Sequence, residues 1–179
     1  MMFEACSPEY VNPATASAET LASSREGLIN LCVGIQRRYA FGRQSPVYTT
    51  VTASGFVGAE LRILNTGNTD EANLATGKSA VDGSNNIVSQ LWNQSYLTIK
   101  ECNIVLDNIA IVGDAPTKSG VQGYAAIFKA LSLGNLATFF EKAPKTIGTN
   151  QPFVTRNELL TEAITILDAA AKQVESAAV

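Results

Sequence analysis

The 179-residue sequence contains no histidine. Because imidazole is the commonest general base and the commonest metal ligand, its absence excludes catalytic triads and zinc sites that need histidine. Cysteine is scarce, and Cys6, Cys32 and Cys102 are too widely separated to suggest a metal motif or a disulfide framework. We interpret the adjacent acids Asp70 and Glu71 as solvated, since acid–base catalysis needs two carboxylates at a set distance in a cleft. These absences argue against an enzyme, and we expect neither a metal site nor a cofactor.

An excess of basic residues is also missing. Thirteen Lys and Arg residues stand against sixteen Asp and Glu residues, which gives a net charge of −3. A nucleic-acid-binding protein normally carries a basic patch that neutralises phosphates, so we expect no nucleic-acid partner. Apolar residues make up 46% of the chain, which is enough for a core, and the length fits one domain or part of a larger one.

Residues 1–20 are mostly small and polar, and they predict a flexible tether. They lack the charged and apolar regions of a full signal peptide. In a bacterial lipoprotein a small residue precedes the cysteine that becomes the lipidated first residue of the mature chain, and Ala5-Cys6 satisfies this minimal rule. Glu4 is untypical of such a site. The alternative interpretation of Cys6 is an unmodified N-terminal thiol.

Apolar residues at helical spacing predict four long helices in residues 21–179. The helices are expected over 24–40, 85–111, 118–141 and from Thr155 onward. The expected helix caps are Ser23 with Glu26, Asp82 or Ser84, and Thr155 with Glu158. Gly42 follows the first helix, where a left-handed cap is common. The third helix is apolar nearly all round, and we interpret it as a buried core helix rather than a membrane span.

Residues 44–84 interrupt this helical pattern. They are rich in Thr, Asn, Gly and Ser, and they show no long helical or strand period. We expect an irregular excursion with room for one short helix, and such segments commonly carry function. At its start, Tyr39, Phe41 and Tyr48 flank Arg43, which suggests a ligand-binding patch. The alternative is that these aromatic side chains cover the edge of the core.

Trp92, the only tryptophan, has two interpretations. Its flat apolar face could stack on the C–H groups of a sugar ring. It also belongs to the apolar stripe of the second predicted helix, and on that ground we favour core packing.

Three segments carry a family resemblance. The second helix contains Trp92-Asn93-Gln94-Ser95-Tyr96, Ile99, Asn103, Val105-Leu106 and Ile109. The third contains Tyr124 to Leu131, Ala137, Phe139-Phe140 and then Pro144. The fourth contains Thr155 to Glu158, Ile164, Leu167-Asp168 and Ala170-Ala171. In order and spacing these segments resemble the SusD/RagB family of nutrient-uptake outer-membrane lipoproteins of Bacteroidetes, closely over 85–177 and loosely over 20–84.

The resemblance implies an all-α fold of tetratricopeptide-like antiparallel helix pairs. Residues 21–179 would form the N-terminal part of a SusD-like domain, without its C-terminal part, after a 1–20 tether carrying a lipidated Cys6. It implies a lipid-anchored protein on the cell surface of the outer membrane, attached to the membrane through the lipid alone. Such a protein binds a glycan or oligosaccharide and delivers it to a SusC-like TonB-dependent transporter.

Two other functions remain open. A helical-repeat adaptor would bind protein only, without sugar affinity, and a cytosolic location would favour it. A glycan-active enzyme would need a pair of carboxylates in a cleft, of which the sequence shows no sign.

Overall fold

The computed structural model describes residues 17–65 and 67–177, so Cys6 and most of the predicted tether lie outside the described residues. Within those ranges the chain forms seven α-helices and one small antiparallel hairpin. The helices are α1 (Ala18–Ala22), α2 (Arg25–Ala40), α3 (Pro46–Val57), α4 (Thr69–Thr76), α5 (Asn86–Asp107), α6 (Ala115–Phe139) and α7 (Arg156–Ala177), and the strands are β1 (Lys142–Pro144) and β2 (Phe153–Thr155). The predicted all-α class is confirmed.

Helix α2 begins one residue later than predicted, because its cap is Ser24 rather than Ser23. The Ser24 hydroxyl accepts a hydrogen bond from the Gly27 N–H at 3.1 Å. Ser23 instead ends the short helix α1, which the sequence pattern did not reveal. Gly42 follows α2 with a φ of +92°, as its position predicted.

Helix α5 is capped by Asn85, and the prediction of Asp82 or Ser84 was wrong. The Asn85 side chain accepts hydrogen bonds from the N–H groups of Ile87 and Val88. Asp82 instead forms a local turn, in which its carboxylate accepts hydrogen bonds from the Ser84 N–H at 2.8 Å and the Ser84 hydroxyl at 2.6 Å. Helix α5 ends at Asp107, and a short 3₁₀ turn replaces the predicted last helical residues.

Helix α6 begins three residues before the predicted start, because Asp114 caps it through the Thr117 N–H at 2.9 Å. The capping box of α7 is confirmed. The Glu158 carboxylate accepts from the Thr155 N–H at 2.8 Å, and the Thr155 hydroxyl accepts from the Glu158 N–H at 3.4 Å.

The segment 44–84 is more regular than predicted, since it contains both α3 and α4. Ser45 caps α3 by accepting from the Tyr48 N–H, and Pro46 occupies the first turn, where a missing N–H costs nothing. Residues 58–65, 67–68 and 77–84 keep the irregular character that the composition predicted, apart from the single 3₁₀ turn Lys78–Ala80.

Helices α5 and α6 form the centre of the molecule. Helix α6 packs on both α5 and α7, and α5 also contacts α2 and α3. Leu133 and Leu136 of α6 are fully buried, which confirms the interpretation of this helix as a core element. Among the described residues, no helix has the combination of length and apolarity that crossing a membrane requires.

Candidate ligand-binding groove

Helices α3 and α4 and the irregular residues 61–65 and Asn68 line a groove of about 950 Å³, which we call the Arg43 groove. Val47, Val51 and Leu64 give its walls apolar surface. The polar side chains of Arg62 and Asn68 lie at the same groove. Its size and mixed lining are typical of sites that bind small organic molecules or sugars.

The wall of the groove depends on a close approach between residues 58–61 and α3. The N–H groups of Glu60 and Leu61 both donate to the Gly55 carbonyl, at 2.8 and 2.9 Å. A Cβ atom at position 55 would lie 2.6 Å from two carbons of the Leu61 side chain. Glycine at this position therefore allows the chain to fold back and close one side of the groove.

A hydrogen-bonded cluster of Arg43, Tyr48 and Glu71 lies at the groove. Arg43 Nη2 donates to Glu71 Oε1 at 2.5 Å, and Tyr48 Oη donates to the same oxygen at 3.1 Å. The Arg43 guanidinium carbon also lies 5.7 Å from the centre of the Tyr48 ring. The Glu71 side chain is buried with 9% exposure, whereas that of Arg43 is 68% exposed. The ion pair therefore anchors an arginine whose outer part faces solvent.

The pKa values of the cluster favour its charged form. Burial raises the pKa of the Glu71 carboxyl, but hydrogen bonds from its own N–H, from Arg43 and from Tyr48 outweigh burial, and the net pKa is lowered. The hydrogen bond to Glu71 raises the pKa of Arg43 further above its ordinary value. In the described residues Arg43 donates to Glu71 through Nη2 alone, which leaves other N–H groups of the guanidinium for a ligand.

The structure divides the predicted patch of four residues. Arg43 and Tyr48 lie together at the groove. Tyr39 is a core residue, so its assignment to a ligand patch was wrong. It is only 9% exposed, its ring packs edge-on against Phe128 at 5.2 Å, and its hydroxyl accepts from the Asn135 amide at 3.0 Å.

Phe41 also lies outside the lining of the Arg43 groove. Its ring is 70% exposed and contacts the Arg37 guanidinium, whose central carbon lies 4.7 Å from the ring centre. It therefore covers the end of α2 and not the groove.

Glu71 is the site residue that sequence reasoning misinterpreted. It was expected to be solvated, but it is buried against Arg43, 28 residues earlier in the chain. Its neighbour Asp70 lies nearer the surface in the first turn of α4, and the Asp70 carboxylate accepts a hydrogen bond from the Asn86 N–H at 3.1 Å. The only local signal was the position of both acids in the first turn of α4, which suits the helix dipole.

Within the described residues, no cluster of three or more Cys, Asp or Glu side chains could hold a metal ion. Comparison of the chain with protein-family models, with curated proteins and with solved structures gave no match. The chemistry of the groove itself is therefore the basis for a functional proposal.

Proposed function

We propose that the protein is a cell-surface lipoprotein that binds a glycan or its oligosaccharides in the Arg43 groove. It would deliver them to a SusC-like TonB-dependent transporter in the outer membrane, and a lipid on Cys6 would be its only membrane attachment. The resemblance to SusD/RagB proteins motivates this proposal. The observation that carries it is the large groove, formed mostly by the 44–84 segment and lined by a pre-ordered arginine, an aromatic ring and amides.

The groove offers the chemistry that a sugar requires. Arg43 and Asn68 can donate hydrogen bonds to hydroxyl or ring oxygens, and the Asn68 carbonyl can accept from a hydroxyl. The Tyr48 ring provides a flat apolar face for sugar C–H groups. Because Glu71 already holds Arg43, less side-chain entropy is lost when a ligand binds. This function requires binding alone and no covalent step.

Binding can be tested by isothermal titration calorimetry with a panel of uncharged and uronic-acid-containing oligosaccharides. We expect at least one to bind, and Arg43→Ala to weaken its binding about tenfold or more. Arg25→Ala is the matched control, since Arg25 also forms an ion pair, with Asp114 at 3.2 Å, but lies outside the groove lining. Absence of binding across the panel, or equal affinities of the two variants, would contradict the proposal.

The lipid anchor is tested separately by the intact mass of the native protein from the membrane fraction of its source cells. We expect a chain that begins at Cys6 and carries acyl groups. An unmodified chain that retains Met1 or Met2 and stays in the soluble fraction would refute the lipoprotein assignment.

One observation favours the alternative of a protein-binding adaptor. Helices α6 and α7 leave an apolar furrow of about 370 Å³ on the surface. Leu160, Ile164 and Leu167 lie along it on α7 at heptad spacing, and they are 44%, 59% and 41% exposed. Helix α7 carries four acidic residues against Arg156 and Lys172, so its net negative charge favours an amphipathic helix with basic flanks as the occupant.

Fluorescence anisotropy with a synthetic helix that has Leu at its core positions and Lys beside them would test the adaptor alternative. Binding that Ile164→Glu abolishes, in a protein without sugar affinity, would replace the glycan proposal. Equal binding to the wild type and to Ile164→Glu would exclude this furrow as the docking site.

A further inference from the structure

A second concave surface, which we call the Trp92 cleft, lies between α5 and the β1–β2 hairpin. One part of about 350 Å³ is lined by Trp92, Tyr96, Phe153 and five residues of the hairpin loop, which are Thr146, Ile147, Gly148, Asn150 and Gln151. An adjoining part of about 530 Å³ shares Trp92 and Tyr96 and extends along α5. None of its lining residues belongs to the Arg43 groove, so the two surfaces are separate.

The floor of the Trp92 cleft is a fixed aromatic platform. The Phe153 ring is nearly parallel to the Trp92 ring, with an angle of 23° and a centre-to-centre distance of 6.2 Å, and Phe153 is 61% exposed. Phe140 packs edge-on against Trp92 at 4.8 Å. Tyr96 Oη donates to the Pro144 carbonyl at 2.6 Å, which fixes the hairpin to α5. The rings are therefore ordered without a ligand.

The rim of the cleft is rich in carboxamides, and within residues 17–65 and 67–177 no carboxylate lines it. The amides are Gln44, Gln90, Asn93, Gln94, Asn150 and Gln151. Several are held in place: Arg38 donates to Gln94 Oε1 at 3.2 Å, and Gln94 Nε2 donates to Gln90 Oε1 at 3.1 Å. Of the described residues that line the cleft, Lys100 alone carries a charge. This composition suits an uncharged ligand with many hydroxyl groups.

We propose that the Trp92 cleft is a second carbohydrate-binding site, which takes a neutral pyranose unit. The C–H face of the sugar lies on the exposed Phe153 ring, which stacks on Trp92, and burial of apolar surface there provides affinity. Each carboxamide offers both a donor and an acceptor, so one amide can bind two adjacent hydroxyls of the ring. The proposal does not require the Arg43 groove to bind sugar. If both bind, two sites on one chain increase the avidity for a long polysaccharide.

The single tryptophan makes this site directly observable, because the emission of Trp92 reports on its own surroundings. The probes are the uncharged hexasaccharides of cellulose, starch, xylan and mannan. We expect one of them to change the tryptophan emission in a saturable manner. Phe153→Ala should weaken that response about tenfold. Phe41→Ala is the matched control, since Phe41 is also a largely exposed phenylalanine but lies outside the cleft, and it should leave the response unchanged.

Arg43→Ala separates the two proposals. A fluorescence response that Arg43→Ala preserves and Phe153→Ala weakens supports the Trp92 cleft, whatever happens at the groove. A different result would confine binding to the groove and overturn this inference. In that result calorimetry detects sugar binding, Arg43→Ala abolishes it, and the tryptophan emission does not change. No response to any hexasaccharide would also overturn it, as would a response to a proline-rich peptide alone.

Discussion

The Tyr48 hydroxyl offers the sharpest test of the Arg43 cluster, because its acceptor is a buried carboxylate. Tyr48→Phe removes the 3.1 Å hydrogen bond to Glu71 Oε1 and keeps the ring that packs beside Arg43. A hydrogen bond to a charged group contributes about 1.5–3 kcal/mol to stability. Since Arg43 still binds Glu71 in the variant, we expect a loss of stability at the lower end of this range, about 1.5 kcal/mol at pH 7. For a chain of this size that loss lowers Tm by about 3–6 °C.

The loss should depend on pH in a defined direction. The pKa of Glu71 is lowered in the folded protein, so its ionised form stabilises the fold above the unfolded pKa of about 4.3. That stabilisation disappears as the pH falls through the folded pKa. Tyr48→Phe removes part of it, so the difference between variant and wild type should shrink to well under half as Glu71 becomes protonated.

Urea unfolding followed by far-UV circular dichroism at pH 7, pH 5 and pH 3 measures this difference. Tyr124→Phe is the matched control, because Tyr124 Oη donates at 2.7 Å to the neutral amide oxygen of Gln36. Its loss of stability should be similar at all three pH values. If Tyr48→Phe costs nothing at pH 7, the hydroxyl does not bind the ionised form of Glu71 and the cluster is wrongly described.

Three further predictions follow from the core and the helix ends. Leu159→Ala should lower the free energy of urea unfolding by about 2–5 kcal/mol because Leu159 is fully buried. Leu160→Ala should lower it by under about 1 kcal/mol because Leu160 is 44% exposed. Burial raises the pKa of Cys32 to about 11 and that of Cys102 to about 12, so mass-spectrometric mapping after alkylation at pH 8 should find both thiols unmodified unless urea is present. Because these folded pKa values exceed the unfolded one, the unfolding free energy should fall as the pH rises from about 8.5 toward 11. Glu158→Ala should lower the free energy of unfolding at pH 7 because it removes the capping box of α7, and an unchanged value would refute that role.

The long helices could be predicted because their signals are local. A stripe of apolar residues and a capping box lie within one element, as Thr155 and Glu158 show. Helix α3 escaped detection because its buried face is made of Thr49, Thr52 and Gly55 rather than large apolar residues. The Thr49 hydroxyl becomes compatible with burial by donating to the Ser45 carbonyl, four residues earlier, at 3.0 Å. A search for apolar periodicity does not find such a face.

Only part of the candidate site could be predicted from the sequence, for two different reasons. Tyr39 follows Ile35 by four residues on the buried face of α2, so the helical period already indicated a core position. The pairing of Arg43 with Glu71 had no comparable signal in the sequence, because it depends on how α4 packs against α3. Contacts of that kind follow from tertiary packing, and neither residue's neighbours in the sequence reveal them.

The two candidate sites are joined through α5, and this bears on the ligand they could share. The side chain of Asn85 donates to the Asp70 carbonyl at 2.9 Å, which ties the start of α5 to the helix that carries Glu71. Trp92 lies on the same α5, about two turns further on. Because a packed helix links them, the spacing between groove and cleft is fixed. A polysaccharide gains avidity from both sites only if its own shape matches that spacing, so chain conformation would select the ligand as strongly as sugar identity.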